Sequence, residues 1–354
     1  MEALFAAKNA QAAAEQAAAD ADREPVAAAT EPEQTSPDNG EWDTSGLTDD
    51  WGKDAAGVRT YSCPSCGAEL ICEDTTAATS CPYCGSTTVV PGQLGGTLKP
   101  DFVIPFKLTK EDAIAGLKKH YEKKPFLPDV FKKSTHLEEI KGVYVPFWLF
   151  DGSADCSATY ACSRSHTHEK GDYIITRTEH FTVLRAGNMA FEKIPVDACR
   201  KMPDDYMDSI EPFDYTELKP FSTAYLPGFL ADKYDVTAEE CSPRADERAV
   251  TSAKKSIRGS VFGYTNTVEV NCDVKLRRGE VKYAMLPVWL LTTKWNGENY
   301  LFTMNGQTGK FVGNLPVDKK KKRRAFVKAY GVAAAATAAF MLTFGGMLSL
   351  FGML

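Results

Sequence analysis

One short repeat constrains this chain more than anything else in it. Cys63-Pro64-Ser65-Cys66-Gly67 and Cys81-Pro82-Tyr83-Cys84-Gly85 are two copies of C-P-x-C-G, with fourteen residues between Cys66 and Cys81. Two residues between cysteines let both thiolates of a tight turn face one ion. The glycine that follows permits a positive-φ turn, which aims backbone N–H groups at the sulfurs. Two such knuckles supply four thiolates in a tetrahedron, the ligand set of a structural zinc ion with Zn–S of about 2.3 Å. The intervening GAELICEDTTAATS has the length of a short hairpin, so residues 59–92 read as a zinc ribbon with metal ligands Cys63, Cys66, Cys81 and Cys84. Cys72 falls inside the hairpin and reads as a small packing residue, because the shell is already full. A shell of four protein ligands leaves no site for water, so the zinc contributes folding free energy and not Lewis acidity.

The charges sit at the ends. The chain carries a net −6, but residues 1–58 alone carry −10 and residues 319–354 carry +7, which leaves −3 for the middle. Fourteen of the first thirty residues are alanine, a helix-favouring composition, and residues 24–51 are rich in Pro, Ser, Thr and acid. Residues 1–58 are therefore expected to form an Ala-rich, acidic tail and disordered linker. No basic segment leads into an apolar core in MEALFAAKNAQAAAEQAAADADREP, so that stretch is not expected to act as a secretory signal. The paired cysteines suit a reducing compartment, and the main body is expected in the cytoplasm.

Residues 93–318 give mixed helix and strand signals, an α+β domain with β-hairpins. Thr109 and Asp112 form a capping box over KEDAIAGLKKHYEKK, stopped by Pro125. Helix is also expected over 203–218 and 237–258, the latter opened by Thr237 and Glu240, with a start nearer Pro243 as an alternative. Residues 141–163 and 281–313 share a Pro-(Phe/Val)-Trp-Leu strand followed by a polar turn and a return strand. That similarity reads either as a weak internal duplication or as two unrelated aromatic strands. Asn296-Gly297 and Asn305-Gly306 are hairpin signals.

The segments YSCPSCGAELICEDTTAATSCPYCGSTTVVPGQLGGTLKPDFVIPFKL, IKGVYVPFWLFDG, SIEPFDYTELKPFSTAYLPGFLADKYDV and YAMLPVWLLTTKWNGENYLFTMNGQTGK resemble a family of uncharacterised bacterial proteins. They are labelled transcription-factor-IIB-type zinc-ribbon proteins, and the resemblance covers roughly residues 60–316. Some relatives carry a primosomal replication helicase label. Relatives often have a further zinc ribbon upstream, and MEALFAAKNA looks like the stretch that follows one, as in a reading frame shortened at its N-terminus. The resemblance implies structural zinc and no established activity. The helicase label does not fit the residues. A motor needs GxxxxGK[ST] between strand and helix, whereas Gly306-Gln307-Thr308-Gly309-Lys310-Phe311 lacks the spacing and sits among hairpin turn residues.

Other candidates weigh less. Cys156, Cys162, His166 and His168 share strand parity, but they span too much extended chain to converge. Cys199, Cys241 and Cys272 read as small apolar fillers, and Trp148 and Trp289 as core aromatics. No nucleophile–base or metalloprotease motif occurs, so no catalytic residue and no enzyme activity are expected. The ribbon itself carries Arg59 against Glu69, Glu73 and Asp74, which disfavours phosphate binding. After the basic run Lys319–Arg324 and Lys328, residues 329–354 carry no charge. They are expected to form a single-pass C-terminal transmembrane helix with the body on the cytoplasmic side. KKKKRR is a candidate for anionic lipid head groups. The sequence thus describes a non-enzymatic, membrane-tethered zinc-ribbon protein whose cytoplasmic domain binds other proteins. The alternative is a nucleic-acid-binding zinc-ribbon protein near replication or transcription.

Overall fold

Alternating and continuous apolar runs divide each long strand of this chain into a buried half and an exposed half. The architecture follows from that division. The computed structural model describes residues 40–350 except 56–57, 74–80, 87–89, 93–96, 134–136 and 138, with the side chains of the C-terminal helix described to Ala339. Three short strands come first: β1 (Val58–Ser62), β2 (Glu69–Glu73) and β3 (Val90–Gly92), followed by β4 (Phe102–Val103). Helix α1 (Lys110–Glu122) leads to β5 (Lys141–Lys170) and β6 (Tyr173–Asp197), and α2 (Asp204–Ile210) follows. Then come β7 (Lys219–Pro220), β8 (Leu230–Asp232), α3 (Ala238–Gly259), β9 (Asn266–Trp295), β10 (Glu298–Asn305), β11 (Phe311–Gly313) and α4 (Lys319–Leu350).

Among the described residues eleven strands join one mixed sheet with the path β11-β10-β9-β5-β8-β2-β1-β3, β6 pairing β5 and the β4–β7 pair joining β9. β5 and β9 run antiparallel down its centre. Val143, Val145, Phe147 and Leu149 share one face with Ala284, Leu286, Val288 and Leu290. Tyr144, Trp148 and Phe150 share the other with Val281, Tyr283 and Met285. Both faces are buried, so these halves read as continuous apolar runs and not as alternation. The two Pro-x-Trp-Leu segments lie side by side, with Val145 paired to Leu286, Pro146 to Met285 and Pro287 to Tyr144. Trp148 is buried with its indole N–H on the Val236 carbonyl at 3.0 Å. The Trp289 indole donates to the Leu108 carbonyl at 3.3 Å.

Past Gly152 and Gly279 the strands leave the core. The register shifts between Phe150 and Gly152. A Cβ on Gly279 would stand 2.5 Å from the Asp151 carbonyl oxygen, so the strands cross closely only because no side chain intervenes. Beyond this point β6, β5 and β9 form a three-stranded arm. Its α3 face holds Ala154, Cys156, Ala158, Tyr160 and Cys162 against Ala253, Ile257 and Val261, and its other face is solvated.

The helices match local chemistry. Thr109 and Asp112 form the capping box of α1, and Thr237 and Glu240 that of α3. α3 starts at Ala238 and carries Pro243 inside it. The Ser242 hydroxyl donates to the Glu239 carbonyl at 2.9 Å, the group that Pro243 has no N–H to satisfy. Only part of 203–218 is helical: α2 stops before a cis Glu211–Pro212 bond, and a 3₁₀ turn spans Tyr215–Glu217.

The strands of the cysteine module join the large sheet, Leu70 and Ile71 of β2 pairing with Asp232 and Ala231 of β8. Two fold expectations need correction. The acidic tail is not wholly a linker. Residues 1–39 lie outside the described residues, but Trp42 and Trp51 are buried, donating to Asp246 Oδ1 at 3.0 Å and the Thr97 carbonyl at 2.8 Å. Two indoles in an otherwise polar run are enough to pin it down. Finally, among the described residues no helix is long and apolar enough to cross a membrane. The described side chains of α4 comprise seven Lys and Arg between Lys319 and Lys328, followed by a mainly alanine stretch. Its start is tied to the body, with Lys321 Nζ 2.6 Å from Asp129 and 2.9 Å from the Leu127 carbonyl. The strongly apolar run 340–354 lies beyond the described side chains. The transmembrane anchor and the membrane localisation built on it therefore do not stand.

Candidate metal centre

The two C-P-x-C-G motifs fold into near-identical turns. Gly67 N–H donates to the Cys63 carbonyl at 2.7 Å and Gly85 N–H to the Cys81 carbonyl at 3.1 Å. Cys63 N–H reaches the Ala68 carbonyl at 2.8 Å and Cys81 N–H the Ser86 carbonyl at 2.7 Å. Gly67 and Gly85 take φ of +72° and +71°, the left-handed conformation that the motif's glycine provides. β1 and β2 present the first turn, and the two turns face one another.

All four sulfurs lie within 4.8 Å of one another. Cys63 and Cys84 Sγ are 3.7 Å apart, and Cys66 and Cys81 Sγ 3.6 Å. Sulfurs bound to one ion at about 2.3 Å in a tetrahedron stand about 3.7–3.8 Å apart, the separation these two pairs show. Cys63, Cys66, Cys81 and Cys84 can therefore hold one metal ion, with Cys63 and Cys81 buried and the other two partly exposed. Burial works against ionising the Cys63 thiol, but the N–H groups of Cys66 and Ser65 outweigh it and bring the pKa down to about 7. Burial pushes the Cys66 and Cys81 thiols up. A cation at the centre reverses that penalty, since a coordinating thiol is deprotonated by the ion's charge.

The second turn is fastened to the body. Tyr83, between the two cysteines, donates its hydroxyl to Asp232 Oδ2 at 2.6 Å, and Asp232 has no exposed surface. Cys199 Sγ donates to the same oxygen at 2.8 Å. Burial raises the Asp232 carboxyl to about 6, with the Cys199 and Tyr83 hydrogen bonds and Lys201 pulling the other way. Thr292 of β9 donates to the Pro82 and Tyr83 carbonyls at 2.8 and 3.1 Å. Tyr83, Asp232 and Cys199, with the half-buried Thr292, thus form a polar clasp that the sequence reading missed. Cys199 is a hydrogen-bond donor here and not the apolar filler its sequence context suggests, and nothing local to DKYDV marks Asp232 as a residue beneath a metal knuckle.

This chain is 38% identical to the uncharacterized protein YdjG of Bacillus subtilis over 313 residues, an alignment that takes in 75% of this chain and 92% of that protein. The chain belongs to the YdjG family. No family model matches the chain, and no solved structure matches it significantly.

The remaining candidates in this YdjG-family chain do not assemble. Cys156, Cys162, His166 and His168 lie along β5, the cysteines packed under α3 and the histidines exposed towards the arm's tip. Cys72 sits in β2, fully buried, and burial lifts its thiol to about 11. Among the described residues the four knuckle cysteines are the one group of potential metal ligands brought together.

Proposed function

We propose that this chain is a non-enzymatic zinc-ribbon protein. A structural zinc ion locks Cys63, Cys66, Cys81 and Cys84, and the sheet with its projecting arm serves as a protein-binding scaffold. The observation that supports the metal assignment is the convergence of four sulfurs within 4.8 Å of one another, two of the pairs 3.6 and 3.7 Å apart, which suits zinc in an all-thiolate shell. Four-coordinate thiolate sites exchange no ligand for substrate, so the ion's work is to hold the two turns against the sheet. The transcription-factor-IIB-type resemblance supports the same reading.

The scaffold reading draws on the arm, which extends β5, β6 and β9 past the central core and exposes Ile174, Leu184, Val268 and Val270. The rival reading, nucleic-acid binding, draws on the basic start of α4, where Lys320, Arg323, Arg324 and Lys328 are exposed.

A salt titration of the full chain against single- and double-stranded oligonucleotides separates the two. The scaffold reading expects only weak, steeply salt-dependent binding that disappears when Lys319–Arg324 are neutralised. Tight binding at physiological salt that survives this change defeats it. Zinc analysis of the purified protein is expected to return one equivalent per chain.

A further inference from the structure

β6 is a long edge. Tyr173–Asp197 pairs on one side with β5 from Lys170 back to Phe147, and on its other side with no strand among the described residues. Exposed edges are ordinarily short, or blunted by proline, lysine or a bulge. Residues 174–190 contain no proline and no lysine, and their pairing with β5 runs without a shift. Exposed large apolar side chains also concentrate there: Tyr173, Ile174, Ile175, Phe181 and Leu184 all lie on this one strand.

The hairpin fixes which backbone groups face outward. Lys170 and Tyr173 close a two-residue turn, so Tyr173 and the odd-numbered residues after it bond to β5. The even-numbered residues 174–190 therefore turn their N–H and C=O groups to the outer edge. A two-fold axis through Thr182 would make every even pair a hydrogen-bonded one: 182 with 182, 180 with 184, 178 with 186, 176 with 188 and 174 with 190. The same register sets Glu179 opposite Arg185 twice, once on each side of the axis. It also sets Phe181 opposite Val183, Ile175 opposite Met189 and Tyr173 opposite Phe191, all on the α3 face. Bonding parity, charge and apolar matching thus select one register. Such a pairing overlaps far more than the five or six residues of an ordinary strand.

We propose that β6 is a homodimerisation edge, a second copy of this chain adding its own β6 antiparallel about Thr182 to give one sheet continuous through both arms. The Glu179 carboxylate, 3.0 Å from Arg177 in the single chain, also reaches Arg185 of the second copy. Arg185 Nη1, which caps the Leu184 carbonyl at 2.9 Å, gives that carbonyl up to the N–H of the second copy's His180. Because the axis stands perpendicular to the sheet, both α3 helices lie on the same side and the solvated face becomes twice as wide. The proposal goes beyond the scaffold reading and does not depend on the metal.

Sedimentation equilibrium of the full, metal-loaded chain tests it. A dimer is expected. Arg185→Glu and Glu179→Arg should each weaken it by about tenfold, two cross-strand ion pairs being replaced by like charges, and the double variant should recover most of the loss. Thr182→Pro removes an outward N–H and no bond to β5, and should leave a folded monomer with its metal content unchanged. Thr182→Cys should cross-link to itself under oxidation, since Cα atoms across a hydrogen-bonded pair stand about 5.5 Å apart. A chain that stays monomeric at every concentration overturns the proposal. So does a dimer indifferent to Thr182→Pro, or one that the double charge reversal leaves as weak as the single reversals.

Discussion

Replacing Tyr83 with phenylalanine isolates the clasp beneath the metal site, because the ring stays and only the hydroxyl leaves. That hydroxyl is 2.6 Å from Asp232 Oδ2, in a site with no exposed carboxylate surface. Asp232 Oδ1 has no hydrogen-bond partner, and after the substitution only the Cys199 thiol, at 2.8 Å, still donates to Oδ2. A buried hydrogen bond to a charged group contributes about 1.5–3 kcal/mol, and no water can replace it here. The unfolding free energy of the metal-loaded protein in urea is therefore expected to fall by that amount with the slope unchanged. The loss should be larger at pH 8 than at pH 5.5, since Asp232, raised to about 6 by burial, is ionised at the higher pH and demands both donors. Tyr83 also stands between two ligands. Releasing it should weaken metal retention against a competing chelator by about tenfold, the low end of what partners behind a ligand contribute. Tyr61→Phe, on β1 and outside the clasp, is the control and should change neither quantity. A Tyr83→Phe protein within about 0.5 kcal/mol of the parent, holding its metal equally well, would refute the claim that the clasp ties the site to the sheet.

Serine at any one of Cys63, Cys66, Cys81 or Cys84 should abolish stoichiometric metal, whereas serine at Cys72 or Cys156 should leave it intact, read by metal analysis after dialysis. Arg244 Nη1 lies 2.7 Å from Asp197, whose side chain is 2% exposed, so Arg244→Met strands a buried carboxylate and should cost about 3–5 kcal/mol at pH 8. Burial raises the Asp197 carboxyl to about 6 despite Arg244. Its contribution to stability is thus greatest below the unfolded carboxyl's pKa and declines as pH rises through about 6, so the variant's deficit should shrink at pH 5.5 in paired urea titrations. Gly279→Ala should destabilise by about 1–3 kcal/mol in thermal melts, because the new methyl meets the Asp151 carbonyl oxygen at 2.5 Å and backbone cannot move aside cheaply. Thr237→Ala removes the acceptor for Glu240 N–H at 3.3 Å and one half of a capping box, which should cost about 1 kcal/mol in the same assay.

What the sequence made legible was local. The knuckle glycines, the capping boxes at Thr109 and Thr237, and the Asn296-Gly297 turn are contacts within a few residues, and each stands where its chemistry put it. The four sulfurs converge because two such turns face each other. Long-range relations were not legible. Trp42 reaches Asp246 across 204 residues and Tyr83 reaches Asp232 across 149, and no short-range periodicity records either. The Thr237 start holds over the alternative at Pro243, because a neighbouring serine satisfies the carbonyl that the proline orphans and the helix runs through it. The C-terminal anchor was inferred from an uncharged run behind a basic flank, but no helix among the described residues is long and apolar enough to cross a membrane. The arm was hidden too, because half-buried alternation over 153–170 reads the same in a short surface strand as in a thirty-residue one.

The central claim is that Cys63, Cys66, Cys81 and Cys84 form a closed, all-sulfur zinc shell. X-ray absorption at the zinc edge on the purified full-length protein tests it most directly. The account predicts four sulfur neighbours at about 2.3 Å and no nitrogen or oxygen in the first shell. A shell containing nitrogen or oxygen, or a protein holding well under one zinc per chain, would contradict it.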